Sequence, residues 1–261
     1  MKIHFKVLIL FFLSFLFFIG CKESNTNQPQ DQNFPDYYPD GIGSYFKYRI
    51  TEKDTLGNII QQGSRVLYYT GTSTHNGREY ITQADTLLFD TLSSYSTYLF
   101  RKSDTGVFYA VDTSLISQLI PDSLKQYVSL RDEMQLLFYP LTNGSSWSMY
   151  RVTADIQPDI SIKLLDVVAS FEKSERVILI WPTGSLSVYT QKVKYELELY
   201  SDIGSPPTIY TAYMWYAENI GLVKFEGNQF VLDFSGGAIG IDITDNILSQ
   251  EITEYYPAEK Q

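Results

Sequence analysis

Apolar and polar positions alternate most clearly between Leu186 and Tyr200. The apolar side chains of this segment fall on one parity and the charged side chains on the other. The two sets are Tyr189, Val193, Tyr195, Leu197 and Leu199 against Lys192, Lys194, Glu196 and Glu198. A period of two over this length predicts a β-strand with one buried face and one face in water.

Other runs rich in β-branched and aromatic residues are bounded by Gly, Pro, Asn or Asp and predict further strands. These strands are 61–71, 79–84, 97–102, 107–112, 134–139, 160–171, 176–181, 208–217, 221–226 and 229–234. So long a sheet must close, curl or stack to cover its apolar face. We therefore expect an all-β or β-dominated antiparallel meander. A half-open barrel and a two-sheet sandwich satisfy this requirement equally well.

One stretch, near 114–131, departs from the strand pattern. Its apolar residues recur at helical spacing: Leu115, Leu119, Ile120, Leu124, Tyr127 and Val128. Pro121 cannot continue a helix and should divide the stretch, with Asp122 or Ser123 capping a short second helix. We expect a short helical insertion in a chain otherwise made of strands.

Two segments about 100 residues apart resemble each other. Residues 38–51 and 139–153 both contain Tyr-Pro, Gly-Ser, an aromatic residue and Tyr-Arg followed by an aliphatic residue and Thr, with one extra residue in the second copy. The match predicts two related halves, 37–138 and 139–256. Two similar turn-to-strand entries that arose independently are the alternative.

The first 20 residues have the pattern of a secretion signal. Lys2 and Lys6 precede an apolar run of 13 residues from Val7 to Ile19, and the small Gly20 follows. A helix that spans a membrane needs about 20 apolar residues, so this run is too short for a permanent anchor. We predict that residues 1–20 are a signal peptide, cut before Cys21.

Residues Phe18-Ile19-Gly20-Cys21 resemble the lipobox of bacterial lipoproteins, although Phe18 stands where that family usually has Leu. The resemblance implies that the Cys21 thiol carries lipid. It also implies that the protein is anchored in the bacterial cell envelope, at the outer membrane, facing the periplasm or the cell surface. Polar residues then dominate 21–36, which predicts a flexible tether. A β-rich body at 37–256 and a short tail at 257–261 complete the predicted organisation.

Composition removes several classes of function. Beyond residue 20 the chain has 18 basic and 30 acidic residues, a formal charge of −12. Such an acidic body is a poor partner for nucleic acid, which demands Lys/Arg patches. Anionic lipid headgroups would also repel it, so we expect the acyl chains on Cys21 to hold it to the membrane.

Few residues remain for catalysis. Cys21 is the only cysteine, so no thiol is left for disulfides or zinc once it is lipidated. His75 is the only histidine beyond the signal peptide, and its surroundings, 72–77, predict an exposed hairpin turn. We expect no Ser-His-Asp triad, no metal and no cofactor. A glycosidase needs only two carboxylates, and the candidates are Asp85, Asp90, Glu196 and Glu198, although these positions fit solvent-facing charges better.

Three segments resemble uncharacterised bacterial envelope lipoproteins: Tyr139-Pro-Leu-Thr-Asn-Gly-Ser-Ser-Trp147, Trp215-Tyr-Ala-Glu-Asn-Ile-Gly-Leu-Val-Lys224 and Gln250-Glu-Ile-Thr-Glu-Tyr255. Within them, Gly221 is expected to end one strand so that the chain can turn back. The resemblance implies a half-open β-barrel of the lipoprotein-carrier type. Barrels of that type can hold an acyl chain in an apolar cavity.

The aromatic content, 21 Tyr, 16 Phe and 3 Trp, suggests a binding role. Tyr210, Tyr213, Trp215 and Tyr216 place large rings on both faces of one predicted strand, where they are candidates for contact with a ligand. We therefore predict a non-enzymatic binding or structural module for a hydrophobic ligand, a glycan or an envelope protein. The alternatives are a carboxylate-dependent glycan hydrolase and a scaffold subunit of an outer-membrane complex.

Overall fold

The computed structural model describes residues 34–89, 93–182, 184–200, 205–235 and 245–258. The predicted signal peptide, Cys21 and residues 22–33 lie outside this part of the chain, and so does Asp90. Strands account for 67% of the structure and form one antiparallel sheet of 12 strands. In the part of the chain that the structure describes, no helix is both long and apolar enough to cross a membrane.

The strands follow one another in the sheet, and β1 also pairs with β12, so that the sheet curls into a barrel whose two free edges are β6 and β7. The bounds are β1 Tyr45–Lys53, β2 Ile59–His75, β3 Arg78–Phe89, β4 Ser93–Ser103, β5 Gly106–Ala110, β6 Glu133–Phe138, β7 Ser146–Gln157, β8 Ile160–Trp181, β9 Gly184–Leu199, β10 Thr208–Ala217, β11 Gly221–Asn228 and β12 Ile247–Tyr256. The barrel is nearly closed, with one unsealed seam between its free edges. The predicted meander and barrel are confirmed, and the sandwich is not adopted.

The seam is bridged by side chains in place of a strand ladder. The Trp147 indole N–H donates to the Gln135 carbonyl at 3.0 Å. The hydroxyls of Tyr150 and Tyr195 donate to the carbonyls of Arg131 and Leu136, both at 2.9 Å. Two carbonyls of β6 and one just before it thus keep hydrogen-bond partners, because a buried carbonyl without one is costly.

Two short helices and a 3₁₀ turn interrupt the strands: α1 Thr113–Gln118, the turn Lys125–Tyr127, and α2 Gln229–Phe234. The predicted helical insertion is therefore confirmed, with its break around Pro121. The predicted caps are wrong. The side chain of Asp112 caps α1 by accepting from the Ser114 N–H at 2.9 Å, and Leu124 precedes the 3₁₀ turn without a side-chain cap.

The strand predicted at 229–234 is wrong, since these residues form α2. The Asn228 side chain accepts a hydrogen bond from the Phe230 N–H at 2.9 Å and so starts a helix. Four apolar residues of α2 are buried. A short apolar run has no periodicity that separates a buried helix from a buried strand. The segments predicted at 160–171 and 176–181 are also one strand, β8.

The barrel halves β1–β6 and β7–β12 have the same order of elements, with helical structure between the fifth and sixth strands of each. The extra residue in the second sequence copy is Met149, which forms a β-bulge where the pairing of β7 with β8 shifts between Ser148 and Tyr150. That the halves share an origin stays a prediction.

In each half, the hairpin formed by the second and third strands continues past a bulge. We call residues 71–80 of β2 and β3 the first arm, and residues 176–189 of β8 and β9 the second arm. The bulges lie between Tyr69 and Gly71 and between Phe171 and Lys173. The predicted alternation in β9 is confirmed at Val193, Tyr195 and Leu197, which are fully buried. Tyr189, expected on the same buried face, is 61% exposed because it lies in the second arm.

Candidate functional site

A cleft of about 700 Å³ lies beside β4, and we call it the β4 cleft. Its walls come from the tip of the first arm, from Ser96–Leu99 of β4, from the end of β5 with α1, from the start of β6, and from the end of α2. It therefore combines elements from both halves of the barrel.

The cleft exists because β5 is short. β5 has five residues and pairs with β4 only from Phe100 to Ser103. The chain then leaves the sheet at Ala110 and enters α1. As a result, among the described residues, the segment Ser93–Leu99 of β4 pairs with β3 on one side and with no strand on the other.

One wall of the cleft is apolar. Ile116 of α1 and Met134 of β6 are each only 5% exposed, and Phe234 of α2 packs edge-on against Tyr150 at 5.8 Å between ring centroids. Tyr98 of β4 completes this wall. Burial raises the pKa of the Tyr98 hydroxyl above its usual value. The wall offers contact surface for apolar parts of a ligand.

The other wall is acidic. Asp112, Asp132 and Asp233 line it, and no Lys or Arg of the described residues lines the cleft. Asn76 donates to the Asp132 carboxylate at 3.0 Å, and this hydrogen bond lowers the pKa of Asp132 below its usual value. The cleft is thus a negatively charged surface next to an apolar one. Sequence analysis missed these three aspartates, and only Asp112, directly before Thr113 and Ser114, has a local signal, that of a helix cap.

His75 lines the same cleft. It is the last residue of β2 before the Asn76-Gly77 turn, where both residues have positive φ, 49° and 75°. The predicted hairpin is confirmed. The prediction that His75 is exposed is wrong, because the ring is half-buried and stands edge-on to Tyr80 at 6.1 Å.

Tyrosine rings fill the interior of the barrel. Tyr48, Tyr109, Tyr195 and Tyr216 are at most 2% exposed. Tyr38 shares a hydrogen bond with Tyr109, and burial raises its pKa to about 12. The interior cavity among these rings measures about 30 Å³. That volume suits one or two water molecules and is too small for an acyl chain. The β4 cleft has a much larger volume than this cavity.

The four aromatic residues predicted to bind a ligand do not form one surface. Tyr210 and Tyr216 point into the barrel and are 7% and 0% exposed. Tyr213 and Trp215 lie on the outer face, where their cross-strand partners are Lys194 and Lys192. Trp215 is 6% exposed: Lys192 and Lys224 lie over its ring at 5.0 and 4.6 Å, and its indole N–H donates to Glu175 at 2.7 Å. A ring so covered has no free face for a sugar. The ligand role of these four residues stays a prediction.

Three of the four predicted catalytic carboxylates, Asp85, Glu196 and Glu198, are also dispersed, and Asp90 lies outside the described residues. The expectation that Asp85 faces solvent is wrong, because it forms a buried ion pair with Arg65 inside the barrel at 2.6 Å. Glu196 pairs with Lys194 at 2.8 Å, and Glu198 accepts from the Tyr200 hydroxyl at 2.7 Å. None of these three lines the β4 cleft. Among the described residues, no group of three or more His, Cys, Asp or Glu side chains is arranged to hold a metal ion.

No protein-family model matches this chain, and no curated protein does. Among solved structures, a candidate lipoprotein from Parabacteroides distasonis is similar, with a TM-score of 0.47 and 14% identity over 86% of this chain and 100% of that one. A candidate exported protein with a YmcC-like fold from Bacteroides fragilis has a TM-score of 0.45 and 14% identity over 84% of this chain and 98% of that one.

Proposed function

We propose that this protein is a lipid-anchored lipoprotein of the bacterial envelope whose β body binds a partner without catalysing a reaction. The partner is an extended, basic peptide segment that occupies the β4 cleft. The observation that carries the proposal is the strand edge Ser93–Leu99, of which Ser96–Leu99 line a cleft of about 700 Å³. The envelope address is supported by the lipobox and the polar tether in the sequence.

The strand edge favours a peptide over a glycan. An unpaired edge offers a row of backbone N–H and C=O groups, and a peptide that adds one strand satisfies both sets. Seven residues at about 3.3 Å each give an edge of about 23 Å, enough to pair with six or seven residues of a ligand. Alternate side chains of that ligand would face Tyr98, Ile116 and Met134.

The charges of the cleft favour a basic peptide. Three aspartates line it, and the whole chain carries a formal charge of −10. Lysine or arginine side chains of a ligand would approach along a favourable potential and would associate faster at low salt.

The proposal is tested by calorimetry of the protein with a blocked ten-residue peptide in which Lys and Val alternate. We expect micromolar binding that weakens with salt. N-methylation of alternate peptide amides should abolish it, since a methylated amide cannot donate to the β4 edge. The same peptide with Glu in place of Lys should not bind.

Matched variants then locate the site. Asp132→Asn should weaken binding by roughly threefold, the effect of one partly exposed charge pair. Asp159→Asn makes the same charge change in the exposed turn between β7 and β8 and should have no effect. Binding that is indifferent to N-methylation, or equally weakened by both variants, would refute the proposal.

The three aspartates also give the hydrolase alternative a specific place. That alternative predicts release of soluble fragments from envelope glycans and loss of release in the Asn variants of Asp112, Asp132 or Asp233. Fragment release that survives all three substitutions would exclude a hydrolase at this cleft.

A further inference from the structure

We propose that the second arm is a membrane-docking element that rests on the phospholipid surface in which the acyl anchor is embedded. The proposal rests on the lipidation of Cys21, which is part of the proposed function, but not on the β4 cleft. It adds a second contact between body and membrane, made by protein side chains.

The second arm exposes large apolar side chains on one face. Ile178, Ile180 and Tyr189 are 65%, 54% and 61% exposed. Pairing across the arm joins Arg176 to Tyr189, Ile178 to Ser187 and Ile180 to Ser185, which places all of them on one side of the hairpin. These side chains form an apolar strip with small polar neighbours.

The opposite face of the arm packs on the body. Leu179 on that face is fully buried, and Val177, Trp181 and Val188 pack against the core. The arm is therefore held in place by its inner face, and the exposed strip is presented on a fixed support. Exposed apolar strips of this kind on a soluble body mark contact surfaces for membranes or for other proteins.

The charge of the arm favours a membrane as its partner. Between Glu175 and Glu196 the sequence has no Asp or Glu, although it has Arg176, Lys192 and Lys194. Elsewhere the chain is rich in acidic residues and has a net charge of −10. The second arm is thus a long segment that anionic lipid headgroups would not repel. Tyr189 on the exposed strip is also of a residue type that favours the membrane interface.

The position of the first described residues supports the same partner. The first described residue is Phe34, and the following segment contacts the root of the arm: the Gln191 amide donates to the Tyr37 hydroxyl at 3.1 Å. On the neighbouring β10–β11 turn, the Asn219 N–H donates to the Asp36 carbonyl at 2.7 Å. The first described residues therefore lie at the same end of the barrel at which the second arm begins.

The lengths involved are similar. The sequence predicts a flexible tether that includes 22–33, and a flexible coil of 12 residues averages about 20 Å end to end and reaches about 40 Å at most. Ile180 lies six residues along β8 from Ser174, the pairing partner of Gln191, which is about 20 Å along a strand. With the acyl chains in the bilayer, the exposed strip can therefore reach the lipid surface without stretching the tether.

The experiment uses the lipidated protein in vesicles of phosphatidylethanolamine and phosphatidylglycerol. Because lipidated Cys21 is the only native cysteine, Ile180→Cys can be labelled specifically with an environment-sensitive dye. We expect a blue shift and quenching by nitroxide-labelled lipids. The same label at Leu56→Cys, 85% exposed in the β1–β2 turn, should behave as in water. Equal signals at both positions would overturn the proposal.

A second measurement uses protein in which a protease site replaces part of 22–33, so that the body can be released from its anchor. After cleavage, the body should stay partly bound to vesicles, and Ile178→Ser with Ile180→Ser should lower this retention at least tenfold. The matched control is Ile59→Ser with Ile60→Ser, which are 58% and 51% exposed on β2.

Retention unchanged in the arm variant would refute docking. A dimer that forms without vesicles and is lost in that variant would instead identify a second copy as the partner. Peptide binding in the β4 cleft should not change in either variant, so the two proposals fail independently.

Discussion

The two arms occupy corresponding positions in the two halves of the barrel, yet their side chains are opposite in character. The first arm, with the sequence Gly-Thr-Ser-Thr-His-Asn-Gly-Arg-Glu-Tyr at 71–80, has small and polar residues and is tied to β6 by charged groups. The second arm has Val-Ile-Leu-Ile-Trp at 177–181, packs through one apolar face and exposes another.

This difference shows how one hairpin geometry serves two purposes. Ion pairs and hydrogen bonds fix the tip of the first arm beside β6, where it forms a wall of the β4 cleft. Burial of one apolar face fixes the second arm and leaves the other face available. A bulge at the root of each arm is what the two have in common.

The largest expected effect is a difference in unfolding free energy between substitutions on the two faces of the second arm. Leu179→Ala should lower the free energy of unfolding by about 3 kcal/mol, because a fully buried leucine loses its contacts and leaves a cavity. Ile178→Ala, one residue away but 65% exposed, should cost less than about 0.5 kcal/mol. Urea unfolding of both variants measures the contrast. Similar losses would mean that the arm does not pack through one face.

A smaller loss is expected where the first arm is attached. Glu133 accepts hydrogen bonds from Arg78, Tyr80 and Arg101 at 2.5 to 2.8 Å, and its side chain is 12% exposed. Glu133→Gln should therefore cost about 2 kcal/mol, as expected for hydrogen bonds to a partly buried charge.

The matched control is Glu254→Gln, which removes a single pair with Lys47 in which the two side chains are 27% and 38% exposed. An exposed pair contributes less than about 1 kcal/mol. If Glu133→Gln cost no more than this control in urea unfolding, ion pairs would not be what holds the first arm.

Much of the fold follows from local sequence, because alternation over a half-buried strand is a strong signal. The alternation from Val193 to Leu197 correctly predicts which face of β9 is buried. The helical spacing of apolar residues correctly predicts the helical insertion around Pro121. The repeat around Tyr38 and Tyr139 marked the first strand of each half. The prediction failed for α2, where Asn228 decides between helix and strand through one hydrogen bond.

The candidate site was beyond reach of such patterns. It exists because β5 has only five residues. Its aspartates are the cap residue of α1, the residue before β6 and a residue of α2, which are distant in sequence. The exposure of Tyr189 was missed for a similar reason. Its parity within β9 is that of Val193, but a bulge in the partner strand carries the arm out of the barrel. Pairing between distant segments has no local signature.

Acid should loosen the first arm at its attachment point. Burial alone would raise the pKa of Glu133, but the hydrogen bonds from Arg101 and Tyr80 outweigh it, and the pKa lies below the usual value. A carboxylate with a depressed pKa in the folded state stabilises the fold above its unfolded pKa of about 4.3. This contribution is lost as the pH falls through the folded pKa.

The stability difference between wild type and Glu133→Gln should therefore be constant above about pH 5 and shrink below it. Unfolding curves at pH 3 to 7 give the difference directly. The same series for Leu179→Ala should show no such trend, because no titrating group is removed from the second arm. A pH-independent difference for Glu133→Gln would contradict the role given to its charge.

The smallest effect concerns the tip of the first arm. Asn76 has a φ of 49°, where alanine is strained, and its side chain binds Asp132. Asn76→Ala should cost about 1 kcal/mol. Asn219→Ala, at a φ of 60° in the β10–β11 turn, carries the same backbone strain without the bond to Asp132 and should cost slightly less.

Because the Asn76 hydrogen bond is the main cause of the lowered pKa of Asp132, that pKa should rise in Asn76→Ala and stay constant in Asn219→Ala. Carboxyl titration by NMR distinguishes the two. An unchanged pKa of Asp132 in Asn76→Ala would mean that this hydrogen bond does not fix the tip of the first arm. The cleft wall formed by the tip would then be held by Glu133 alone.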